Sequence, residues 1–392
     1  MEKHAFDPDD VPLSILRHRA YNLRWATLST DVIPLTAADP DYAVALPIQK
    51  AIIEYTRGGV FSYGPSEGLP EFRKSCANTY SQRQHVTIVS DQIIAVDGAA
   101  AGMRHIVSFA LKAGDEAIIF DPVDFLFKAA IESVGASIKL LSRNTLTGRI
   151  DLNQLPKLLS KNTKLLCICN PINPTGQILT KDELIILGEF AVAHQLWILN
   201  DEIWSDIVYP PQCFISINTL GKEIVSKTIT VNGFSKNFGL AGLRIGYVIA
   251  PSDEVYEGIM SASLARTTMS GAATLSQIAA IAAYTEGWTW FDEFLKHLHG
   301  QRNYAVARLS AISGFKITAP QATYLLFPNI QESGMNAETL AKKILEQGKV
   351  AVVPGMERWF GPGAEGHLRL AFATSRKILE EALNRIESVL GF

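Results

Sequence analysis

From about Gln92 to Ala250, short apolar β-rich runs alternate with helical stretches, and this alternation constrains the fold more than any other feature of the chain. "QIIAVDG" leads into "AAAGMRHIVSFALKAG", and "DEAIIFDP" leads into "FKAAIESVGA". "SIKLLS" and "KLLCICNP" follow, then the helical "KDELIILGEFAVAHQ", then "WILNDEI", "KTITVNGF" and "RIGYVIAP". The strand-like runs are apolar almost throughout rather than at every second residue. That predicts strands buried on both faces, in a mainly parallel sheet flanked by helices. Such sheets bind ligands at the carboxyl ends of their strands, and most of the polar motifs fall there.

Beyond about Gly287 the texture changes. "WTWFDEFLKHLHGQRNYAVARLSAI" reads as one long helix, followed by "FKITAP", "TYLLFPN", a helix near "NAETLAKKILEQ", and "HLRLAFA" before a closing helix. A large α/β domain over 47–287 and a smaller α+β domain from 1–46 and 288–392 are expected, as suits a chain of 392 residues. A net charge of −3 with scattered Lys and Arg argues against a nucleic-acid or anionic-membrane partner. Apolar runs such as "QIAAIAAY" fall short of the ~20 residues a membrane helix needs. The opening "MEKHAFDPDD" lacks the apolar core of a secretory signal. Cys76, Cys167, Cys169 and Cys213 have no metal-ligand spacing, and no metal site is expected. Reduced thiols without a signal predict a soluble cytoplasmic protein.

The stretch "VNGFSKNFGLAGLRIGY" sets Lys236 in a tight loop after a β-branched run. A loop lysine is ordinarily solvated charge. Here the next strand is buried and Arg244 follows eight positions on. A lysine in an apolar cleft beside another cation has a lowered pKa and becomes the nucleophile that imine formation requires. Ser235 and Arg244 offer charge-assisted hydrogen bonds to a phosphate. An aldehyde and a phosphate together suggest pyridoxal 5′-phosphate. Its ring nitrogen needs a carboxylate partner, and "LNDEIWSDIVY" puts Asp201 at the end of an apolar strand, where a helix cap is the plainer alternative. In "VDGAAAGM", Gly98, Ala99 and Ala100 are small enough for a helix start to approach an anion, or simply to pack closely. "CNPINPTGQ" is a rigid turn from which Asn173 can aim an amide at the ring hydroxyl.

Taken together, these motifs resemble the class I and II aminotransferases, pyridoxal-phosphate enzymes of fold type I, over nearly the whole chain. The resemblance implies a mainly parallel seven-stranded sheet with a smaller α+β domain, and amino acid and 2-oxo acid substrates. It implies Lys236 as the Schiff-base residue, Ser235 and Arg244 as phosphate ligands, and Asp201 as the partner of the pyridine nitrogen. Asn173 would lie near the ring hydroxyl and the substrate carboxylate. "YGPSEGLPEFR" resembles the segment whose tyrosine, here Tyr63, reaches the neighbouring subunit's phosphate, which implies a homodimer with shared sites. "GHLRLAFAT" resembles the segment whose arginine, here Arg369, clamps the α-carboxylate.

Four positions depart from the family pattern. Trp204 stands where tyrosine is usual, and Gly233 where a phosphate-binding hydroxyl is common. Asp124 holds the place of the ring-stacking aromatic, so Phe125 is expected to take that role. Ala38 occupies a substrate-side position often given to glycine. "AADPDY" and "DEIWSDIVY" are similar to the cystathionine β-lyase-like branch, which cleaves carbon–sulfur bonds. "GLAGLRIGY" and "GHLRLAFAT" are similar to ordinary aminotransferases.

An aminotransferase is therefore expected, with a C–S β-lyase as the alternative; thiol release without a 2-oxo acid acceptor separates the two. A non-catalytic regulator of this fold would carry a DNA-binding domain, and nothing before Val11 has room for one. Arg266 and Arg358 both remain candidates to read a substrate side chain. Trp288, Trp290 and Phe291 read as packing residues, and His105, His297 and His299 as surface or satisfied. Glu202 and Asp206 read as solvated or salt-bridged.

Overall fold

The computed structural model describes residues 6–144 and 147–390; residues 1–5, part of the stretch read for a leader, lie outside the described residues. Seven strands form the main sheet: β1 (Ile93–Val96), β2 (Glu116–Asp121), β3 (Ser137–Ser142), β4 (Thr163–Cys169), β5 (Trp197–Asp201), β6 (Thr228–Gly233) and β7 (Gly246–Ile249). Their order is β1-β7-β6-β5-β4-β2-β3. Only β7 runs against its neighbours, pairing antiparallel with β1 and β6. The other pairings are parallel.

Both faces of this sheet are buried, as continuous apolar runs require. Ile93 and Ala95 of β1 join one apolar core while Ile94 and Val96 join the other, the period-two alternation of a strand between two layers. Helices α1 (Ala99–Ala110), α2 (Phe125–Glu132) and α3 (Lys181–Ala193) follow β1, β2 and β4. Thr180 and Glu183 start α3 with a reciprocal capping box.

Strand order positions the site. Because β2 leads to β3 on one side and β4 leads to β5 on the other, a crevice opens between β2 and β4 at their carboxyl ends. The antiparallel β7 brings its beginning, not its end, to that same edge.

A second sheet pairs Leu368–Ala371 antiparallel with Val353–Pro354 and with Leu325–Leu326. Ile33–Pro34 pairs in parallel with Val350–Ala351, tying the two ends of the chain together. The long helix α4 (Trp288–Ser310) sets Phe291 against Phe238 at 5.7 Å and Trp290 against Phe6 at 5.5 Å. Among the described residues no helix is long and apolar enough to cross a membrane.

Two side chains, Glu202 and His105, differ from their sequence reading. Glu202 is neither solvated nor ion-paired: it is buried and accepts from Tyr80 Oη at 2.7 Å, Ser216 Oγ at 2.6 Å and Asn200 Nδ2 at 2.8 Å. Strand alternation turns Asn200 and Glu202 to one face and Asp201 to the other, and a hydrogen-bonded socket replaces a counter-ion. His105 is buried with Nδ1 unpartnered, and burial lowers its pKa. His297 is satisfied, by Tyr42 and Thr374, and Asp206 does pair with Arg83 at 2.6 Å.

Candidate active site

The carboxyl edge of the sheet opens into a cleft of about 440 Å³. Lys236, three residues past β6, lies half-buried in it. Its Nζ donates to the carbonyl of Ala38 at 2.8 Å and stands 5.4 Å from the centre of the Trp204 ring. Burial pushes this amine below the ordinary lysine range, opposed mainly by Asp39, with Asp124 and Asp201 adding to that opposition. The cation that assists burial is Arg369, not Arg244 as sequence spacing suggested. Arg244 is instead drawn off toward α1.

Asp201, the last residue of β5, is buried, and burial pushes its carboxyl up to about 7. Its Oδ1 accepts from the Ile203 amide at 3.0 Å. It starts no helix, so the capping alternative falls. A desolvated carboxylate with one neutral donor is poised for a cationic N–H partner.

The start of α1 forms a cradle. Gly98 precedes the helix at φ 110°, a conformation open to glycine, and a Cβ there would meet Arg244 Nη2 at 3.0 Å. Gly246 lets β7 pass so close that a Cβ would reach the Ala99 nitrogen at 2.9 Å. The first amides of α1 have no partner inside the helix, and Ala99, Ala100, Ser235 and Arg244 face the cleft together. The Arg244 guanidinium makes no hydrogen bond or ion pair with any described residue, while its backbone amide donates to the Ala241 carbonyl at 3.3 Å. Amides, hydroxyl and guanidinium converge as a phosphate group requires.

On the other wall, Arg369 Nη2 donates to the carbonyl of Thr36 at 3.0 Å, and Nη1 to Asn173 Oδ1 at 3.3 Å. Its Nε is buried without a partner. No carboxylate of a described residue bonds this buried guanidinium directly, so the fork is open to an anion. The Asn173 amide donates to Asp124 Oδ2 at 2.7 Å. Asp124 is itself fixed as the cap of α2, its Oδ1 accepting from the Leu126 amide at 3.1 Å.

Trp204, Ala38 and Phe125 also line the cleft. Phe125 meets Trp359 edge to face, with centroids 5.5 Å apart. Tyr63 does not join them: it is 89% exposed. Sequence reading missed Trp359 and Phe360, which line the cleft from the short helix Glu357–Phe360 ahead of the Arg369 strand; the aromatic pair in "MERWFG" was the available signal. It noted Asp124 only as a departure. The residues present fit pyridoxal phosphate: Asp201 is a buried carboxylate, Lys236 a depressed amine, and the α1 cradle has an unpartnered arginine. Among the described residues no cluster could hold a metal ion.

The family described as aminotransferase class I and II matches residues 30–386. An aspartate aminotransferase of Pyrococcus horikoshii is 32% identical over 370 residues, spanning 93% of this chain and 92% of that protein. A solved aromatic aminotransferase from Pyrococcus horikoshii OT3 is 30% identical with a TM-score of 0.86, over 93% of this chain and 96% of that one. Cystalysin from Treponema denticola, which contains pyridoxal 5′-phosphate, shares the fold with a TM-score of 0.90 at 24% identity, over 98% of each chain.

Proposed function

This chain belongs to the class I and II aminotransferases, and from that premise we propose how its residues divide the work of moving an amino group between an L-amino acid and a 2-oxo acid. The enzyme is pyridoxal-phosphate-dependent. When bound, the cofactor supplies an electron sink for negative charge developing at the substrate's Cα.

The rest falls to the protein. Lys236 would hold the cofactor through Nζ, and that amine is placed to take and return the proton at the substrate's Cα. Its depressed pKa keeps part of the amine neutral for that purpose. Asp201 would hold the proton on the cofactor's ring nitrogen. Ser235, Arg244 and the amides after Gly98 would hold the phosphate, and Trp204, Phe125 and Asn173 would border the ring. Arg369 binds the α-carboxylate bidentately beside Asn173 and Ala38, which fixes the direction of the Cα–H bond. The observation that carries this reading is the convergence of Lys236, Asp201 and Arg369 on one cleft.

Tyr63, together with the exposed Val60 and Phe61, is read as a surface that a second copy covers, delivering Tyr63 to the partner's phosphate cradle. A large domain over 47–287 and a small one from both chain ends complete the reading. None of the four cysteines is paired, which supports a cytoplasmic setting.

The test is to incubate purified protein with the cofactor, a panel of amino donors and a 2-oxo acid, and to follow formation of the new amino acid. Thiol release from a sulfur amino acid with no acceptor present would favour the β-lyase chemistry instead. Sedimentation tests the dimer: a fully active monomer contradicts it.

A further inference from the structure

Among the described residues lining the cleft, the cations are Lys236, Arg244 and Arg369, and the reading above uses all of them. None of this copy's lining cations is left for a second carboxylate. The two arginines that sequence left open are engaged elsewhere. Arg266 holds both oxygens of Glu257, at 2.6 and 2.8 Å, and Arg358 pairs with Glu338 at 3.8 Å.

The anions leave a remainder. Asp201 has a role toward the cofactor; Asp124, beyond capping α2 and holding Asn173, has none. It sits one residue away from the carboxylate fork, since Asn173 accepts from Arg369 and donates to Asp124. A substrate side-chain carboxylate near Arg369 would meet this fixed negative charge without a compensating cation. Like charges placed together in a cleft reject the wrong partner strongly. A cationic side chain gains less than it first suggests, because both Asp124 oxygens already accept hydrogen bonds.

The remaining walls are apolar. Leu23, Phe125 and Leu126 line the cleft while staying 49%, 38% and 37% exposed, and Trp359 and Phe360 stand beside them. Exposed apolar groups gathered at one cleft mark a surface meant to be covered by ligand.

We infer that this site takes amino acids with a bulky apolar or aromatic side chain, and that Asp124 is the residue that turns away a side-chain carboxylate. The inference rests on the aminotransferase reading and on Arg369 as the α-carboxylate ligand.

Two measurements on the cofactor-loaded enzyme test it. The first compares kcat/KM for phenylalanine, leucine, aspartate, glutamate and lysine against one 2-oxo acid. The second compares equilibrium binding of 3-phenylpropanoate and succinate, by calorimetry. Phenylalanine should exceed aspartate by roughly 10-fold or more, and 3-phenylpropanoate should outbind succinate. Asp124→Asn should narrow both ratios by roughly 10-fold through a gain in succinate affinity. Asp124→Ser keeps a helix-cap acceptor without the charge and should act the same way, guarding against a mere loss of the cap. A wild-type preference for aspartate or lysine, or ratios unmoved by either variant, overturns the inference. If no donor turns over, the aminotransferase reading fails, while the binding ratio still decides the role of Asp124.

Discussion

Replacing Asp201 with asparagine should stabilise the cofactor-free protein at alkaline pH while stopping its reaction. Burial holds this carboxyl at about 7, against an ordinary value of 3.8. Between those values the folded chain keeps a proton that the unfolded chain has released. The free energy of unfolding therefore falls as pH rises from about 3.8 to about 7. A gap of about three pH units corresponds to about 4 kcal/mol, fully felt above pH 7 and absent below 3.8. Asparagine removes this cost and keeps an oxygen for the Ile203 amide. Its new NH₂ group takes the place of Oδ2, which accepts from no described residue, and left unpaired it costs about 1–3 kcal/mol. The variant should thus gain about 1–3 kcal/mol at pH 8. Urea unfolding of both cofactor-free proteins from pH 5 to 8.5 provides the assay. The stability difference should grow in the variant's favour across this range and then level off. Parallel curves, or a variant that falls behind as pH rises, would refute the placement of a strained carboxyl at Asp201. Loading the wild type with pyridoxal phosphate should flatten its own pH slope, since a protonated ring nitrogen supplies the missing cation.

Lys236→Ala should bind the cofactor without a covalent link, so borohydride reduction followed by peptide mass mapping should find no adduct, whereas the wild type carries one at Lys236. Gly98→Ala adds a Cβ 3.0 Å from Arg244 Nη2 at φ 110°; a strain of about 1–3 kcal/mol should weaken pyridoxal phosphate binding by roughly 10-fold in a fluorescence titration while the fold persists. Arg369→Lys should keep the cofactor's absorbance but lose about 2–5 kcal/mol in kcat/KM for amino acids, and much less for amines without a carboxylate. Loss of the cofactor in that variant, with substrate preference kept, would move the carboxylate site elsewhere.

Lys236, Asp201, Asn173 and the Gly98 turn were legible because each interrupts or ends an apolar run, and a polar residue at the end of a buried strand is conspicuous in one dimension. The strands themselves were legible for the same reason: burial on both faces removes the need for polar alternation. The network around those residues was not legible. Asp124 and Asn173 meet across 49 positions of chain, Lys236 and Ala38 across 198, and Arg369 reaches Thr36 across 333. These contacts exist because β4 lies beside β2 with β3 passed over to the outside, and because the segment near Ile33 pairs with Val350. Hydrophobic periodicity specifies that a strand is buried but not which strand lies beside it. The sequence by itself therefore determined the strands and the residue types at their ends. Only the tertiary structure decided that Glu202 would find Tyr80 instead of water, that Arg369 rather than Arg244 would stand near Lys236, and that Asn173 would link Asp124 to Arg369. Each of those depends on loops brought together by strand order, which no local pattern of side chains encodes.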